Sequence, residues 1–244
     1  MCTVIVEVPQ RVDAATRVLA VRDEDPDRAW DPPGQWWPER YPGVVGVRDR
    51  LAGGAWLAAD PRAGRLAVIL NRPEWIESAP ETPLGSRGAI PLDSVSGRPV
   101  TDPPHTQSFN LVEVHAGSTR VSAWNGERLA PQQLSPGVHM LAHHAVDDPG
   151  TARIQHWLPE FRALAGLPDA GWRDAWVAVL ARSAELQADD DRAIIRDNRS
   201  HGFPTQTLLA CTAEIRPGAV DLEVIVSGDA AEGERLRLLR RADR

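Results

Sequence analysis

The chain has 244 residues, of which 42% are hydrophobic, and its 27 basic residues against 34 acidic ones give a net charge of −7. This composition is typical of a folded globular protein, and the negative charge argues against a general nucleic-acid or anionic-membrane surface. Every basic residue is an arginine, so lysine chemistry such as Schiff-base formation is excluded.

Short apolar and β-branched runs, separated by Gly and Pro, fill the beginning of the chain. They predict strands over Thr3–Val8, Arg17–Arg22, Val44–Val47, Ala55–Ala59 and Leu66–Leu70. The short connections between most of these runs favour antiparallel pairing.

A proline-rich segment with three tryptophans, Asp25–Pro42, interrupts these strands. Its prolines disfavour a helix, so we expect an ordered loop beside a site. Trp30, Trp36 and Trp37 in this loop allow two interpretations. They form either a lid over a pocket for a bulky acyl or planar ligand, or a small hydrophobic cluster under a long loop.

The middle of the chain continues in β pattern after a second loop. Pro73–Pro104 is rich in Pro, Gly and Ser, and we expect one short helical turn there, covering one edge of the sheet. Strands are predicted over Phe109–His115, Thr119–Trp124 and Val138–His144, and the hairpin signal Asn125-Gly126 suggests that they form a meander.

Helical periodicity appears only after residue 150. It predicts helices over Ile154–Leu164, which Pro159 should kink or delay, and over Asp169–Gln187, with Trp157, Trp172 and Trp176 in the core. Strands follow at Thr207–Ile215 and Leu222–Val226, and Glu234–Arg244 is either an edge strand or a helix. We expect residues 1–244 to form one domain of the α+β class.

The two cysteines differ in their surroundings. Cys211 lies mid-strand and is expected to be a core thiol. Removal of Met1 would give Cys2 both a thiol and an α-amine, whose pKa of about 7.7–8.0 suits a general base. The start of the chain shows no signal peptide and no apolar run spans a bilayer, so we expect a soluble cytoplasmic protein with both thiols free and no integral membrane segment.

Two charged residues are candidates for supporting Cys2. A hairpin from the first strand would bring Arg22 and Asp23 back to the start of the chain. An arginine there lowers the pKa of a thiol, and a carboxylate can hold the α-amine. The alternative is that these residues belong to a solvated charged turn.

Six short motifs occur in the order seen in the NRDE family, of the transport-and-Golgi-organisation type. They are Met1-Cys2-Thr3, Arg22-Asp23-Glu24, Gly53–Leu57, Ala67–Asn71, Ser86-Arg87-Gly88 and Phe109–Val112. The family is similar to N-terminal-nucleophile hydrolases of the choloylglycine and penicillin acylase type, which implies a four-layer αββα sandwich of mostly antiparallel sheets. It also implies Cys2 as nucleophile, Arg22 and Asp23 beside it, and Asn71 as oxyanion-hole donor.

The sequence departs from the family pattern at three places. Val21 replaces the first Asn of the tetrad, and His143-His144 stands where the family tends to have Ser-Asn. Phe203-Pro204-Thr205-Gln206-Thr207 stands where the family has a Thr-Arg-Thr-Asn-Thr stretch leading into a late strand, so no second arginine is expected at the site.

His143-His144 with Asp147-Asp148 also resembles a metal cluster. Adjacent strand residues point to opposite faces, however, so we expect no metal; the alternative is a helix-capping Asp and one pocket-facing residue, His143.

Two functions follow from the resemblance. The first is hydrolysis of an amide or acyl small molecule by Cys2, with no cofactor required. The second is a non-catalytic carrier of haem or a lipid-like acyl ligand, since the wider family is linked to haem and lipid handling. The sequence does not indicate an oligomeric state.

Overall fold

The computed structural model describes residues 2–79, 81–115, 117–226 and 237–239. The strands are β1 (Thr3–Val8), β2 (Thr16–Glu24), β3 (Trp30–Gly34), β4 (Val45–Asp49), β5 (Ala55–Asp60), β6 (Arg65–Asn71), β7 (Phe109–His115), β8 (Ser118–Trp124), β9 (Leu129–Gln133), β10 (Gly137–Leu141), β11 (Gln206–Arg216), β12 (Ala219–Val226) and β13 (Arg237–Leu239). The helices are α1 (Ile90–Val95), α2 (Ala152–Ala163) and α3 (Trp172–Ala184), with 3₁₀ turns at Arg87–Ala89 and Arg199–His201.

The strands form two antiparallel sheets. One has six strands in the order β10-β1-β2-β11-β12-β13, and the other has seven strands, β3 to β9, in chain order. The predicted meander is therefore confirmed for β7 and β8 but wrong for Val138–His144, because that segment crosses to the other sheet and pairs with β1. Asn125-Gly126 instead connects β8 to β9, a strand that the pattern missed.

The segment Asp25–Pro42 also differs from the expected loop, because it contains β3. The two prolines of β3, Pro32 and Pro33, lie in an edge strand with an irregular register between Asp31 and Gly34. An edge strand tolerates proline because one row of its N–H groups has no partner strand.

Alternation along β1 shows how the six-stranded sheet separates two cores. Val4, Val6 and Val8 join a core shared with the seven-stranded sheet, whereas Ile5 joins a second core with α2 and α3. Successive strand residues point to opposite faces, so the central strands are buried on both sides. The second core contains the predicted Trp157, Trp172 and Trp176, each at most 3% exposed.

Helix α2 begins at Ala152 and includes Pro159, so the expected delay of the helix is wrong, while the kink at Pro159 stays a prediction. Pro159 and Gln155, whose carbonyl loses its helical donor, are both exposed. Water can therefore replace the missing hydrogen bond.

Helix α1 packs on the seven-stranded sheet, on the opposite side of the molecule from α2 and α3, and completes the four layers. Asn110 and Glu113 of β7 are three residues apart and point to opposite faces. Asn110 donates to the Ala142 carbonyl on the six-stranded side, whereas Glu113 accepts from Ser94 of α1. The fold is thus the expected αββα sandwich, but α1 packs on the central strands β5 and β6 instead of on an edge.

Among the described residues, no helix is both long enough and apolar enough to cross a bilayer.

Candidate active site

The pairing of β1 with β2 brings Cys2 beside Asp23. Thr3 is opposite Val21 in the ladder, so the chain start extends toward the last residues of β2. The Cys2 thiol donates to the Asp23 carbonyl, with 3.7 Å between Sγ and oxygen. The hairpin predicted from the sequence is present, and the two residues are neighbours.

Arg22 points between the two sheets and is 2% exposed. Its Nη2 lies 3.3 Å from Glu24 and 3.6 Å from Asp49, and its guanidinium lies 5.9 Å from the centre of the Trp56 ring. Nη1 is buried and has no hydrogen-bond partner among the residues that the structure describes. Nη2 of the Arg22 guanidinium is therefore paired with carboxylates, whereas no described residue accepts from Nη1.

The Asp23 carboxylate lies on the other face of β2 and is tied to the late strand β11. The Thr207 hydroxyl donates to Asp23 Oδ1 at 2.7 Å and accepts from the Arg196 N–H at 3.0 Å. The ladder between β2 and β11 shifts register between Thr207 and Leu209. This irregularity places Thr207 and Leu209 opposite the adjacent residues Asp23 and Arg22.

Two cavities meet at Cys2. The smaller has about 270 Å³ and a charged wall, and the larger has about 510 Å³ and includes Trp75, Phe203 and His143 in its lining. Cys2, Asp23 and Asn71 line both. A substrate with its reacting carbon near Cys2 would therefore have room on two sides.

Asn71 ends β6 at the junction of these cavities. The residue is exposed, and no hydrogen bond to the described residues occupies its amide. A neutral amide with unused N–H groups can donate to an oxygen atom that gains negative charge.

The environment of the Cys2 thiol favours its protonated form. Burial raises the pKa of this thiol above its ordinary value, the Asp23 carboxylate adds to the increase, and Arg22 opposes it. Activation of this thiol would therefore require a base close to it. Met1, whose removal would expose the α-amine, lies outside the described residues.

The structure supplies a second arginine, Arg153, which corrects the expectation that none supports the site. Arg153 belongs to α2, is 2% exposed, and donates to the Thr3 hydroxyl at 3.1 Å. Burial lowers its pKa to about 10, while its interactions with Asp23 and Cys2 act in the opposite direction. No sequence signal reveals this residue, because a buried arginine in an amphipathic helix resembles an ordinary surface position.

Arg87 is another site residue that the sequence motifs contained without showing its role. It lines both cavities, and its Nη1 donates to the Ser108 carbonyl at 2.8 Å. Its backbone is fixed by a close contact between Gly54 and Gly88, since a Cβ on Gly54 would lie 2.5 Å from the backbone of Gly88. The motifs Gly53-Gly54 and Ser86-Arg87-Gly88 thus contact each other through Gly54 and Gly88.

The three tryptophans proposed as a lid are not brought to Cys2. Trp30 and Trp37 pack against the core between the sheets, and Trp37 donates to the Gly53 carbonyl at 2.7 Å. The Trp36 ring lies under Arg48 at 5.1 Å. Of the described tryptophans, Trp56 and Trp75 line the cavities instead.

His143 and His144 both line the larger cavity, with ring centres 4.3 Å apart. The expectation that they point to opposite faces is wrong, because β10 ends at Leu141 and the pair lies in a bend. Burial and the neighbouring His144 lower the pKa of His143 to about 4. Within the described ranges, no cluster of three potential metal ligands is found.

Comparisons with known proteins agree with this architecture. The family model described as Transport and Golgi organisation 2 matches residues 1–166. Among solved structures, a Caenorhabditis elegans N-acylethanolamine-hydrolyzing acid amidase ortholog aligns with a TM-score of 0.50 over 98% of this chain and 100% of its own, at 12% identity. No curated protein matches the sequence. At that identity the structural likeness shows a shared N-terminal-nucleophile hydrolase fold.

Proposed function

Because the chain belongs to the Transport and Golgi organisation 2 family and has the fold of N-terminal-nucleophile hydrolases, we propose that it hydrolyses an amide or related acyl bond of a small molecule. Cys2 is the nucleophile in this proposal. The observation that carries it is the position of Cys2 at the junction of two cavities, between Arg22, Asp23 and Asn71.

The reaction begins once Met1 has been removed. The α-amine of Cys2 takes the proton from the thiol, and Sγ forms a bond to the substrate carbonyl carbon while the carbonyl oxygen gains the negative charge. When the tetrahedral intermediate collapses, the C–N bond breaks and the α-ammonium gives its proton to the leaving amine. Water then attacks the thioester, the α-amine takes a proton from it, and Sγ leaves.

The surrounding residues stabilise these charges. Asn71 donates to the oxyanion, Arg22 favours the thiolate, and Asp23 positions the α-amine. Arg153 acts through Asp23 and the Thr3 segment as a positioning residue, since it bonds to Thr3 and interacts electrostatically with Asp23.

The solved relative supports an amide substrate by its printed name, which describes hydrolysis of N-acylethanolamines. We propose a small-molecule amide for this chain on the same basis. A reducing compartment such as the cytoplasm fits the proposal, because Cys2 must remain a thiol and both cysteines are free. A cell fraction in which Cys2 is found disulfide-bonded would contradict that location.

The test uses the purified full chain and a fluorogenic decanoyl anilide. We expect an intact mass without Met1, release of the fluorescent amine, and a transient mass increase of one decanoyl group. Cys2→Ala should abolish both signals, and the matched variant Cys211→Ala should keep them. Retention of Met1, or amine release that survives in Cys2→Ala, would exclude Cys2 as the nucleophile.

A second candidate is a non-catalytic carrier of haem or an acyl lipid. His143 favours it, because its Nδ1 is buried and finds no hydrogen-bond partner in the described part of the chain. Its lowered pKa also keeps the imidazole neutral, as an iron ligand must be. Titration with haem should then give saturable absorption changes that His143→Ala removes and the exposed His201→Ala retains. Unsaturable binding would count against a carrier.

A further inference from the structure

Another cavity lies away from Cys2, on the side of the seven-stranded sheet that carries α1. It has about 350 Å³ and is bounded by β6, β7, β8 and the turn that follows α1. Arg65 begins β6 and Asn71 ends it. At about 3.3 Å per residue, the length of this strand places roughly 20 Å between the cavity and the candidate active site. The cavity is therefore separate from the residues around Cys2.

Cross-strand pairing brings charged side chains together at this cavity. Arg65 is opposite His115, and Glu113 is opposite Arg120. Glu113 and His115 are two residues apart, so both pairs point to the same side of the sheet. Ser94 of α1 donates to Glu113 at 2.9 Å, which identifies this side as the outer one. All five residues line the cavity.

Three guanidinium groups line the cavity, those of Arg65, Arg98 and Arg120. Arg120 binds Glu113 through Nε and Nη2, at 2.9 and 3.0 Å. Arg98 binds Asp93 through Nη1, at 3.0 Å. Each of these two ion pairs leaves one terminal nitrogen of its arginine without a hydrogen-bond acceptor among the described residues.

Arg65 differs from the other two arginines, because no carboxylate in the part of the chain that the structure describes lies within ion-pair distance of it. Its Nη1 donates to the Val95 carbonyl, at 3.3 Å, where α1 ends. A Cβ on Gly97 would lie 2.6 Å from that nitrogen. The turn after α1 thus fits closely around a guanidinium group whose charge is not neutralised by a described side chain.

The lining of the cavity carries an excess of positive charge. Glu113 is the one carboxylate among the described residues of the lining. Its oxygens already accept from Arg120, Ser94 and Ser122. The surplus of cations stands out in a chain whose net charge is −7. Guanidinium groups bind oxyanions, and a phosphate dianion offers them three oxygens where a carboxylate offers two oxygens and a single charge.

We propose that this cavity binds the phosphate group of a soluble phosphate monoester, held by Arg65 together with Arg98 and Arg120. Its volume is at the lower end of the roughly 300–1,000 Å³ of ligand pockets, which suits a small phosphorylated molecule. The negative net charge of the chain argues against a lipid headgroup in an anionic membrane. This site goes beyond the proposed hydrolase function and does not depend on it.

Calorimetric titration of the full chain with glycerol 3-phosphate tests the site. We expect saturable binding, about tenfold tighter than that of glycerate, which has the same three-carbon skeleton but a carboxylate. Arg65→Gln should weaken the binding of glycerol 3-phosphate by about tenfold, and Arg65→Lys should restore part of it. Added potassium chloride should also weaken the binding, because the attraction is between charges.

Further variants control for folding and for the location of the site. The Arg98 side chain is 53% exposed, so Arg98→Gln should weaken binding without disturbing the core. Arg128→Gln removes the same charge at an exposed position outside the cavity and should leave the affinity unchanged. Cys2→Ala and Arg87→Gln should bind glycerol 3-phosphate as tightly as the wild-type chain.

Four outcomes would overturn the proposal. Absence of saturable binding would leave Arg65 as a cap of α1, and equal affinity for glycerate would exclude phosphate as the preferred anion. Loss of binding in Arg87→Gln, or unchanged affinity in both Arg65→Gln and Arg98→Gln, would place the anion elsewhere. Binding to phosphatidic acid vesicles without binding of glycerol 3-phosphate would exclude a soluble ester. Because the titration needs no hydrolysis, its result is independent of the proposed activity of Cys2.

Discussion

Protonation of the Cys2 thiol sets its reactivity. Burial raises the pKa of the thiol, so the thiolate fraction near neutral pH is smaller than for an exposed cysteine. In a chain with extra residues before Cys2, we expect slow alkylation by iodoacetamide near pH 7 and a rate that rises as the pH increases. A chain that begins at Cys2 should react faster near pH 7, which intact mass measurements at several pH values can follow.

Cys211 provides the internal control for this measurement. It is 1% exposed, and burial raises its pKa to about 12. Cys211→Ser should therefore leave the alkylation profile unchanged, and Cys211 itself should react only on unfolding. Equal rates for the extended and the processed chain would show that the α-amine does not activate Cys2.

Arg153 offers a second test at the scale of one side chain. Arg153→Gln removes a buried charge that interacts with Asp23 and Cys2, so we expect kcat/KM on the decanoyl anilide to fall by about 100-fold, the effect of losing one preorganised electrostatic partner. The pH profile of Cys2 alkylation should also shift upward, which a purely structural role would not produce.

Arg162→Gln lies on the same helix at a half-exposed position and should change neither measurement. Arg153→Lys keeps the positive charge and should restore part of the rate. An unchanged pH profile in Arg153→Gln would assign this residue to packing alone.

At the scale of elements, the contact between Gly54 and Gly88 holds the turn that carries Arg87. A methyl group on Gly88 would lie 2.8 Å from the Gly54 Cα, so Gly88→Ala must separate the two backbones. We expect a loss of about 1–3 kcal/mol in the free energy of unfolding, the usual range for overpacking, measured by urea denaturation.

The neighbouring Gly85 is the matched control. A Cβ there would meet the His105 carbonyl at an ordinary 3.4 Å, so Gly85→Ala should be nearly neutral. If Gly88→Ala were equally neutral, the close approach would not fix the turn.

The same scale shows how far the sequence predicts the fold. The long, strongly patterned strands β1, β2, β6 and β7 could be predicted because alternation and β-branching act locally. The transfer of β10 to the other sheet could not, since partner choice depends on tertiary packing. For the site, motif order predicts Cys2, Arg22, Asp23 and Asn71, but Arg153 comes from a helix with no local signal of its role.

For the whole molecule, we propose that residues 1–244 fold as one cooperative unit. The two cores lie on opposite faces of the same strands. In β1, for example, Val4 packs in one core and the next residue, Ile5, packs in the other, so neither core can unfold without disturbing this strand. Urea unfolding followed by tryptophan fluorescence and by far-UV circular dichroism should therefore give coincident transitions.

Matched truncations in the two cores test this cooperativity. Leu57→Ala and Leu180→Ala each remove a fully buried side chain, one from each core. Each should lower the free energy of unfolding by about 2–5 kcal/mol. Each should also shift the unfolding transitions followed by fluorescence and by circular dichroism together. A variant that shifts the transition followed by only one of the two probes would indicate two independently unfolding parts.

The bond between Thr207 and Asp23 joins residues 184 positions apart, and this has a consequence for biosynthesis. The ribosome delivers Cys2, the proposed nucleophile, long before the strand that holds its neighbour Asp23. A nascent chain halted before Thr207 emerges therefore carries Cys2 without its complete surroundings. Any hydrolysis of the proposed kind that depends on this bond would begin only after translation has passed Thr207, so the order of synthesis would delay this chemistry until β11 is made.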